Sequence, residues 1–202
     1  MKGEGFVYLT FDDGPDPVWT PKVLEALHRF RARATFFVVA PLALRFPNLV
    51  RQMIRFGHAV ELHCVEHVRH TDLTRAEVEI DARSGLEGIR ILGVLSRLWR
   101  PPWGVLAPWT PAVADDLGLE LVSWTLDTHD WRGDTASEMF TRIRADLQPG
   151  AVILMHDGLG PGARRSGCDE TVTLIGELVK HARSLGCEPC PLSSSPARLS
   201  IR

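Results

Sequence analysis

Two adjacent carboxylates, Asp12 and Asp13, end an apolar run and come directly before a Gly-Pro turn. The run at residues 6–11 has the length and composition of a buried β-strand, so both carboxylates are expected at its carboxyl end. Enzymes with α/β folds keep their chemistry at that end. Because successive residues point in different directions, one carboxylate can hold a metal ion while the other handles a proton. A solvated Asp-Asp turn is the alternative for this motif taken alone.

Two histidines, His63 and His67, follow a later apolar run at a spacing of four residues. At this spacing two imidazoles meet on one side of a helical turn and suit a borderline metal such as zinc. With Asp13 as a third ligand, the set leaves coordination positions open for water and substrate. Glu66 and His70 are alternatives that could support the ligands or contact a substrate.

Three further segments supply groups suited to proton transfer. Arg100 precedes two prolines that stiffen its loop, and we expect it to pair with Asp12 and keep that carboxylate ionised. His156 ends an apolar run, and beside a metal site it fits a general acid. Either Asp127 or Asp130 could orient that histidine and raise its pKa, so that it carries a proton at neutral pH. A surface arginine and a polar strand-end cap are the plain alternatives.

Alternating apolar runs and amphipathic stretches must position these groups. Thr74 and Glu77 form a capping box that begins a long helix. The predicted strands are 6–11, 34–39, 58–62, 98–99, 119–126, 151–155 and 187–192. The predicted helices are 21–31, 49–56, 74–95, 109–117, 136–147 and 171–185.

Seven strands alternating with helices predict a mostly parallel sheet in the α/β class, closed as a barrel. The polar groups follow the strands and do not precede them, which places them on one face of that barrel. The chain of 202 residues, 45% hydrophobic and 24% charged, is long enough for one sizeable core. We therefore expect a single domain over residues 1–202.

Charge and composition exclude several classes of protein. The formal net charge is −2 and no Lys/Arg run is present, which argues against a nucleic-acid partner. The longest apolar stretch, residues 34–44, is far short of the roughly 20 residues that span a membrane. No apolar signal-peptide core precedes the first strand, so we expect a cytoplasmic protein as written, or an exported one if a leader has been removed.

Cys187 and Cys190 form a C-x-x-C motif with no second pair. Four cysteines in a chain of this length do not make a disulfide scaffold. We expect ordinary packing thiols here, with a zinc or redox role as the alternative.

Five motifs together resemble the polysaccharide deacetylase family, the NodB-homology domain of carbohydrate esterase family 4. They are TFDDGP at 10–15, H-x3-H at 63–67, RPPWG at 100–104, DxxDW at 127–131 and ILMHDG at 153–158. They occur in the family order and span nearly the whole chain. The resemblance implies a distorted (β/α)7 barrel that removes acetyl groups from N-acetylated sugars, whether chitooligosaccharide, peptidoglycan or a small aminosugar.

The resemblance also implies how acid and base are assigned. Asp12 would be the general base and Arg100 would hold it in place. His156 would be the general acid that protonates the departing amine, and Asp130 would tune its pKa.

The remaining roles implied by the resemblance concern a metal ion and the acetyl group. A divalent metal, usually zinc or cobalt, would polarise the acetyl carbonyl. The backbone N–H of Trp103 would stabilise the oxyanion, and Trp131 with Leu154 would line the pocket for the acetyl methyl group. The ligands of the metal would be Asp13, His63 and His67.

The chain departs from the family pattern near the expected metal. Cys64 stands where the family usually has Ser or Thr, Trp103 replaces the usual Tyr, and residues 67–70 read His-Val-Arg-His where the family has His-Pro. These departures bear on the metal preference and the substrate. Two alternatives to deacetylation therefore stay open: a metal-dependent hydrolase of another C–N bond, such as a formamide or cyclic amide, and a non-catalytic carbohydrate-binding barrel. A carbohydrate is the expected partner, and no pattern indicates an oligomeric state.

Overall fold

A curved sheet of eight parallel strands forms the centre of the computed structural model, which describes residues 5–192. The strands are β1 (Gly5–Asp12), β2 (Thr35–Val39), β3 (Ala59–Cys64), β4 (Leu98–Trp99), β5 (Glu120–Leu121), β6 (Leu126–Asp127), β7 (Val152–His156) and β8 (Cys187–Pro189). Their order in the sheet is β5-β4-β3-β2-β1-β7-β6, and β8 pairs with the first residues of β1.

Seven α-helices connect the strands. They are α1 (Trp19–Arg29), α2 (Ala40–Arg45), α3 (Pro47–Arg55), α4 (Arg75–Arg90), α5 (Thr110–Leu117), α6 (Ala136–Ile143) and α7 (Asp169–Ser184). Three single turns of 3₁₀ helix, His70–Asp72, Pro102–Gly104 and Asp130–Arg132, follow β3, β4 and β6. None of these helices is both long enough and apolar enough to span a bilayer.

The fold class expected from the sequence, a distorted (β/α)7 barrel, is confirmed. The distortion is a seam: within the described residues no ladder joins β5 to β6, the two ends of the sheet. The ranges 1–4 and 193–202 of the predicted single domain lie outside the described residues.

One predicted strand is wrong, and it lies at this seam. Residues 119–126 were expected to form one strand, and they form β5 and β6 with four residues between them. The Arg100 guanidinium hydrogen-bonds to two backbone carbonyl groups between β5 and β6. Its Nε donates to the oxygen of Val122 (3.4 Å) and its Nη2 to that of Ser123 (3.0 Å). The indole ring of Trp124 lies against the backbone of Gly104, where a Cβ atom would come within 2.6 Å of it. Val122 and Thr125 still donate their backbone N–H groups to Trp99 and Val152 (both 2.9 Å), but these long-range contacts interrupt the strand between them.

Side chains of β1 alternate between the two faces of the sheet, and this alternation positions the first carboxylate. Val7, Leu9 and Phe11 belong to the large core between the sheet and the helices. Tyr8 belongs to a smaller apolar cluster on the other face, which also contains Phe37, Val122 and Val152. Asp12 is in phase with Tyr8, so its side chain enters the interior of the barrel.

Most predicted helices are present with shifted ends, and one helix was missed. The capping box of Thr74 and Glu77 begins α4 as expected, but α4 ends at Arg90 and not at residue 95. The missed helix is α2, which follows β2 without a loop. Pro41 read as a break in an apolar run, but it lies in the first turn of α2, where proline needs no backbone N–H.

Candidate active site

Three side chains converge at the carboxyl ends of β1 and β3, as the sequence predicts for Asp13, His63 and His67. Asp13 is the first residue after β1, and its left-handed backbone (φ 69°) turns it away from the direction of Asp12. Its Oδ1 lies 3.3 Å from His63 Nε2 and 3.1 Å from His67 Nε2. The three ligand atoms lie within 4.8 Å of one another, so one metal ion could contact all of them.

The expected helical turn between the two histidines is absent. His63 lies in β3 itself, and His67 lies in the loop that follows a bend after this strand. The backbone N–H groups of Val65 and Glu66 donate to the Asp81 carboxylate (3.0 and 2.7 Å), which fixes this loop. The four-residue spacing was thus a correct signal for convergence, but a strand end and a loop produce it.

The chemistry of the three residues fits a divalent cation. The Nδ1–H of His63 donates to the Arg100 carbonyl at 2.6 Å, which leaves Nε2 with a free lone pair on the side of Asp13. Asp13 Oδ1 is buried and accepts no well-aligned hydrogen bond from the described residues. Burial opposes ionisation of Asp13, but the His63 and His67 imidazoles hold its pKa well below the usual range. Two imidazoles and one carboxylate are a donor set that zinc favours.

Asp12 and Arg100 form the ion pair predicted from the sequence. Arg100 is fully buried, and its Nη1 donates to Asp12 Oδ1 at 2.9 Å and to Thr10 Oγ1 at 2.7 Å. Its guanidinium also lies 4.2 Å from the centre of the Phe37 ring. This fixed cation holds Asp12 in one orientation.

His156 and Asp130 form a second pair, next to the first. Asp12 and His156 are directly opposite each other in the parallel ladder of β1 and β7. Asp130 Oδ1 lies 2.7 Å from His156 Nδ1, and Asp130 Oδ2 accepts the backbone N–H of His156 at 2.9 Å. Burial disfavours the charged imidazole, but the Asp130 carboxylate outweighs it and raises the pKa of His156 to about 9. Although Asp130 is buried, His156 and Arg165 lower its pKa to about 2.

This pairing decides between the two carboxylates that the sequence left open. Asp127 Oδ2 lies 2.9 Å from Nδ1 of His129, two residues further along the chain. Asp127 also accepts the backbone N–H of His129 at 2.7 Å. Asp130 is therefore the residue that orients His156, and Asp127 shapes its own loop.

One cavity of about 400 Å³ is lined by the five groups proposed for chemistry, whereas their buried partners Arg100 and Asp130 do not line it. The five are Asp12, Asp13, His63, His67 and His156. Trp103, Trp131 and Leu154, the residues expected around the acetyl group, line it too. Trp103 has a left-handed backbone (φ 54°), and its ring lies 4.2 Å from the His67 ring, edge to face. The structure thus brings the predicted site residues together around one opening.

Arg165 is a residue of this site that sequence reasoning missed. Its guanidinium donates to Asp130 Oδ2 at 2.9 Å, to the carbonyls of His156 (3.0 Å) and Gly158 (3.2 Å), and to Thr171 Oγ1. Thr171 itself donates to the same oxygen of Asp130 at 2.8 Å. Residues 158–168 have no apolar periodicity, so nothing in the sequence distinguishes Arg165 from its neighbour Arg164.

Asp157 was also missed, although it lies within a recognised motif. Its carboxyl group is buried under the turn at Gly14, where a Cβ atom would lie 2.3 Å from Asp157 Oδ2. The Thr20 hydroxyl donates to Oδ2, while Oδ1 has no partner among the described residues. Burial raises the pKa of Asp157 to about 7.

Other residues that the sequence singled out lie away from the cavity. His70 is buried, with Nδ1 3.0 Å from Thr110 Oγ1, and Glu66 is exposed. Cys64 is buried beside His63, and burial raises the pKa of its thiol. Cys187 and Cys190 are buried free thiols, as expected for packing residues.

Comparisons with known proteins agree with this geometry. The family model described as "Polysaccharide deacetylase" matches residues 1–122. A chitooligosaccharide deacetylase of Bradyrhizobium sp. (strain ANU 289) is 35% identical over 199 residues, covering 95% of this chain and 91% of that protein. A peptidoglycan-N-acetylglucosamine deacetylase of Bacillus cereus is 30% identical over 185 residues, covering 91% and 84%.

A solved structure gives the same result in three dimensions. The family 4 carbohydrate esterase from Streptomyces lividans, in complex with acetate, superposes with a TM-score of 0.83 at 30% identity, covering 92% of this chain and 91% of that one. The chain belongs to the polysaccharide deacetylase family. Its relatives of similar length carry the names of deacetylases that act on chitooligosaccharide and on peptidoglycan N-acetylglucosamine.

Proposed function

We propose that this protein is a metal-dependent hydrolase that removes acetyl groups from N-acetylated sugars. The observation that carries the proposal is the arrangement of two ion-paired groups, Asp12 and His156, opposite each other in adjacent strands beside a cluster of three metal-binding side chains. A carboxylate, a charged imidazole and a metal site in one cavity are suited to amide hydrolysis by water. The choice of an N-acetylated sugar as substrate is based on the names of the relatives.

Asp13, His63 and His67 are proposed to hold the divalent cation, with zinc as the first choice and cobalt as the second. A cation bound there supplies Lewis acidity, which polarises a carbonyl oxygen and makes water a better nucleophile at neutral pH. The Nδ1–H bond from His63 to the Arg100 carbonyl would fix the tautomer that ligation needs.

Asp12 is proposed to accept a proton from the attacking water, with Arg100 holding its carboxylate in place. The water oxygen adds to the acetyl carbon, and the backbone N–H of Trp103 is proposed to donate to the resulting oxyanion. One such donor is typically worth about 3 kcal/mol.

His156 is proposed to donate its proton to the departing nitrogen as the C–N bond breaks. With a pKa raised to about 9, it carries this proton at neutral pH. Trp131 and Leu154 are proposed to enclose the acetyl methyl group, and the products are acetate and a free amino sugar.

The test is acetate release, followed by NMR, from an N-acetylglucosamine tetramer. Zinc-loaded protein is compared with chelated protein and with zinc-loaded Asp12→Asn. Acetate that disappears in both controls supports the proposal. If the zinc-loaded protein releases none but hydrolyses a formamide or a cyclic amide, the reaction belongs to another C–N bond. If it binds the tetramer but hydrolyses none of the three, the barrel is a carbohydrate-binding protein.

A further inference from the structure

Three neighbouring segments lie at the amino ends of the strands, on the opposite side of the barrel from the cleft. They are residues 29–34, 55–58 and 90–97, which lead into β2, β3 and β4. These three strands are parallel and adjacent, so the segments meet at one edge of the sheet. Together the segments form the basal surface of the protein.

Hydrogen bonds hold the three segments next to one another. The backbone N–H of Ala34 donates to Nδ1 of the buried His58 at 3.1 Å, which joins the first segment to the second. The backbone N–H of Arg97 donates at 2.8 Å to the buried carboxylate of Glu61 in β3, which joins the third segment to the strand that the second one enters. The basal surface is therefore continuous.

The basal surface exposes large apolar side chains. Ile91 and Leu95 are 78% and 79% exposed, more than any other large apolar residue in the part of the chain that the structure describes. Ile91 directly follows α4, and the left-handed backbone of Gly93 (φ 83°) turns the chain between the two. Phe56 in the neighbouring segment is 42% exposed. Apolar side chains exposed in adjacent loops indicate a surface that binds a partner.

The same segments are strongly basic, with six exposed arginines and no acidic residue. Within residues 5–192, no carboxylate oxygen lies within 4.0 Å of any of these guanidinium groups. Three of the arginines lie in the last turns of α1, α3 and α4, where a cation complements the helix dipole. The other three lie outside every described helix, so this role does not explain them. They are Arg31, Arg33 and Arg97.

Unpaired cations around exposed apolar loop residues are suited to an anionic lipid surface. The apolar groups can enter the boundary between headgroups and acyl chains, while guanidinium groups contact the lipid phosphates. A second copy of this chain fits less well, because a two-fold interface would place the six arginines against six others. The phosphate backbone of a nucleic acid would match the arginines but would leave the apolar side chains without a partner.

We propose that the basal surface binds an anionic lipid bilayer, with Ile91 and Leu95 entering the apolar boundary and the arginines contacting lipid phosphates. The protein then lies on the membrane without spanning it. Because the proposed catalytic groups lie at the carboxyl ends of the strands, the cleft faces away from the bilayer. This inference goes beyond the proposed deacetylation and does not depend on it.

The test is sedimentation of the full chain with large unilamellar vesicles. One preparation is phosphatidylcholine alone, and the other is an equal mixture of phosphatidylcholine and phosphatidylglycerol. We expect the partition coefficient for the mixed vesicles to be higher by at least about 100-fold, and the difference to shrink as salt is raised.

The contribution of charge is tested with Arg31→Gln/Arg33→Gln/Arg97→Gln, which leaves the three arginines at helix ends in place. Three cations near an anionic surface account for roughly 100-fold in binding, and we expect a loss of that size on mixed vesicles. The matched control removes the same number of charges from exposed arginines on the side of the cleft. It is Arg69→Gln/Arg132→Gln/Arg164→Gln, and it should keep most of the binding.

The contribution of the apolar side chains is tested with Ile91→Ser/Leu95→Ser. We expect roughly tenfold weaker binding to mixed vesicles. The matched control is Ile80→Ser/Leu106→Ser, which removes two other exposed apolar side chains (64% and 45%). Ile80 lies in the first half of α4 and Leu106 follows β4, so both lie away from the basal surface, and this control should bind like the unaltered chain.

Insertion into the bilayer is measured separately, on a variant that keeps all the arginines. The added indole of Leu95→Trp should be quenched by mixed vesicles with bromine-labelled acyl chains, whereas that of Ile80→Trp should not. The fluorescence of the unaltered chain is subtracted from both. Circular dichroism and urea unfolding show that each variant is folded.

Four results would overturn the proposal: no preference for the mixed vesicles at low salt, an equal loss of binding in the control on the side of the cleft, no quenching of Leu95→Trp, or a dimer that Ile91→Ser/Leu95→Ser dissociates. Tighter binding of double-stranded DNA than of mixed vesicles would also overturn it, and would assign the basal surface to nucleic acid.

Discussion

The two ion pairs of the site are supported in different ways. Asp12 and Arg100 meet inside the barrel, with at most 5% of either side chain exposed, and they belong to β1 and to the residue after β4. His156 ends β7 and is 15% exposed, and its partner Asp130 belongs to a 3₁₀ turn. Arg165, from an irregular segment, completes the second pair.

This difference separates a half of the site that is held by strands from a half that is held by loops. In the first half, strand alternation and a buried cation leave each side chain one orientation. In the second half, orientation depends on hydrogen bonds between segments that are far apart in the chain. We therefore expect substitutions in the first half to remove function, and substitutions in the second half to retune it.

The largest effect is expected for His63→Ala. This residue supplies one of three ligand atoms and lies in β3, so no neighbouring side chain can replace it. Bound zinc, measured by mass spectrometry, and acetate release should both fall to background. A variant that retains one zinc per chain would show that the metal lies elsewhere.

Asp12→Asn tests the same half without touching the metal ligands. Loss of a general base costs about 10²–10⁴-fold in turnover, and we expect a fall in that range with the zinc content unchanged. Because Arg100 is fully buried, loss of its charge partner should also destabilise the fold by about 3 kcal/mol. Turnover follows acetate, and stability follows urea unfolding. Near-normal turnover would refute the assignment of Asp12 as base.

Asp130→Asn tests the half of the site that is held by loops. The proton-donating form of His156 is present below its pKa, which the Asp130 carboxylate raises to about 9. Without that carboxylate the burial of His156 dominates and its pKa falls. The alkaline limb of the pH–rate profile should move to lower pH, with a loss of roughly tenfold for each pH unit above the new pKa. A limb that stays in place would separate Asp130 from the proton transfer.

The smallest effect is expected for Arg165→Gln. It should move the alkaline limb of the pH–rate profile in the direction opposite to that of Asp130→Asn. Arg165 shares the charge of Asp130, so its removal strengthens the attraction between Asp130 and the charged His156. We expect turnover to fall roughly 3- to 30-fold, by analogy with the loss of one charged hydrogen bond, and the alkaline limb to move to higher pH. The variant Arg165→Lys should restore part of the rate.

Arg142→Gln is the matched control for Arg165. Arg142 is paired with Asp134 and has no contact with His156 among the described residues. Its loss should leave the limb in place. If Arg165→Gln behaves like Arg142→Gln, Arg165 serves only the packing of its loop.

The same division explains what the sequence could predict. Asp12, Asp13 and His63 follow or end apolar runs, and strand geometry alone places such residues at one edge of a sheet. His67 was placed correctly for a partly wrong reason, because its spacing was read as a helical turn. Arg165 could not be found, since its partners come from three separate segments and no periodicity marks it.

Errors in the fold prediction have a similar cause. The residues between β5 and β6 have a strand-like composition, but the distant guanidinium of Arg100 takes the carbonyl groups of Val122 and Ser123 away from a ladder. Local patterns predict which segments are strands, but they do not report a competing acceptor or donor from elsewhere in the chain.

Arg100 holds the carbonyl groups of the seam as well as Asp12, and this has a consequence for how related sequences are classified. A descendant that lost its chemistry would still have the carbonyl groups of Val122 and Ser123 to satisfy, which Arg100 does in this structure. An arginine at this position is therefore weak evidence that a related protein is active. His156 is the better diagnostic residue, because Asp12 is also the charge partner that the fully buried Arg100 needs.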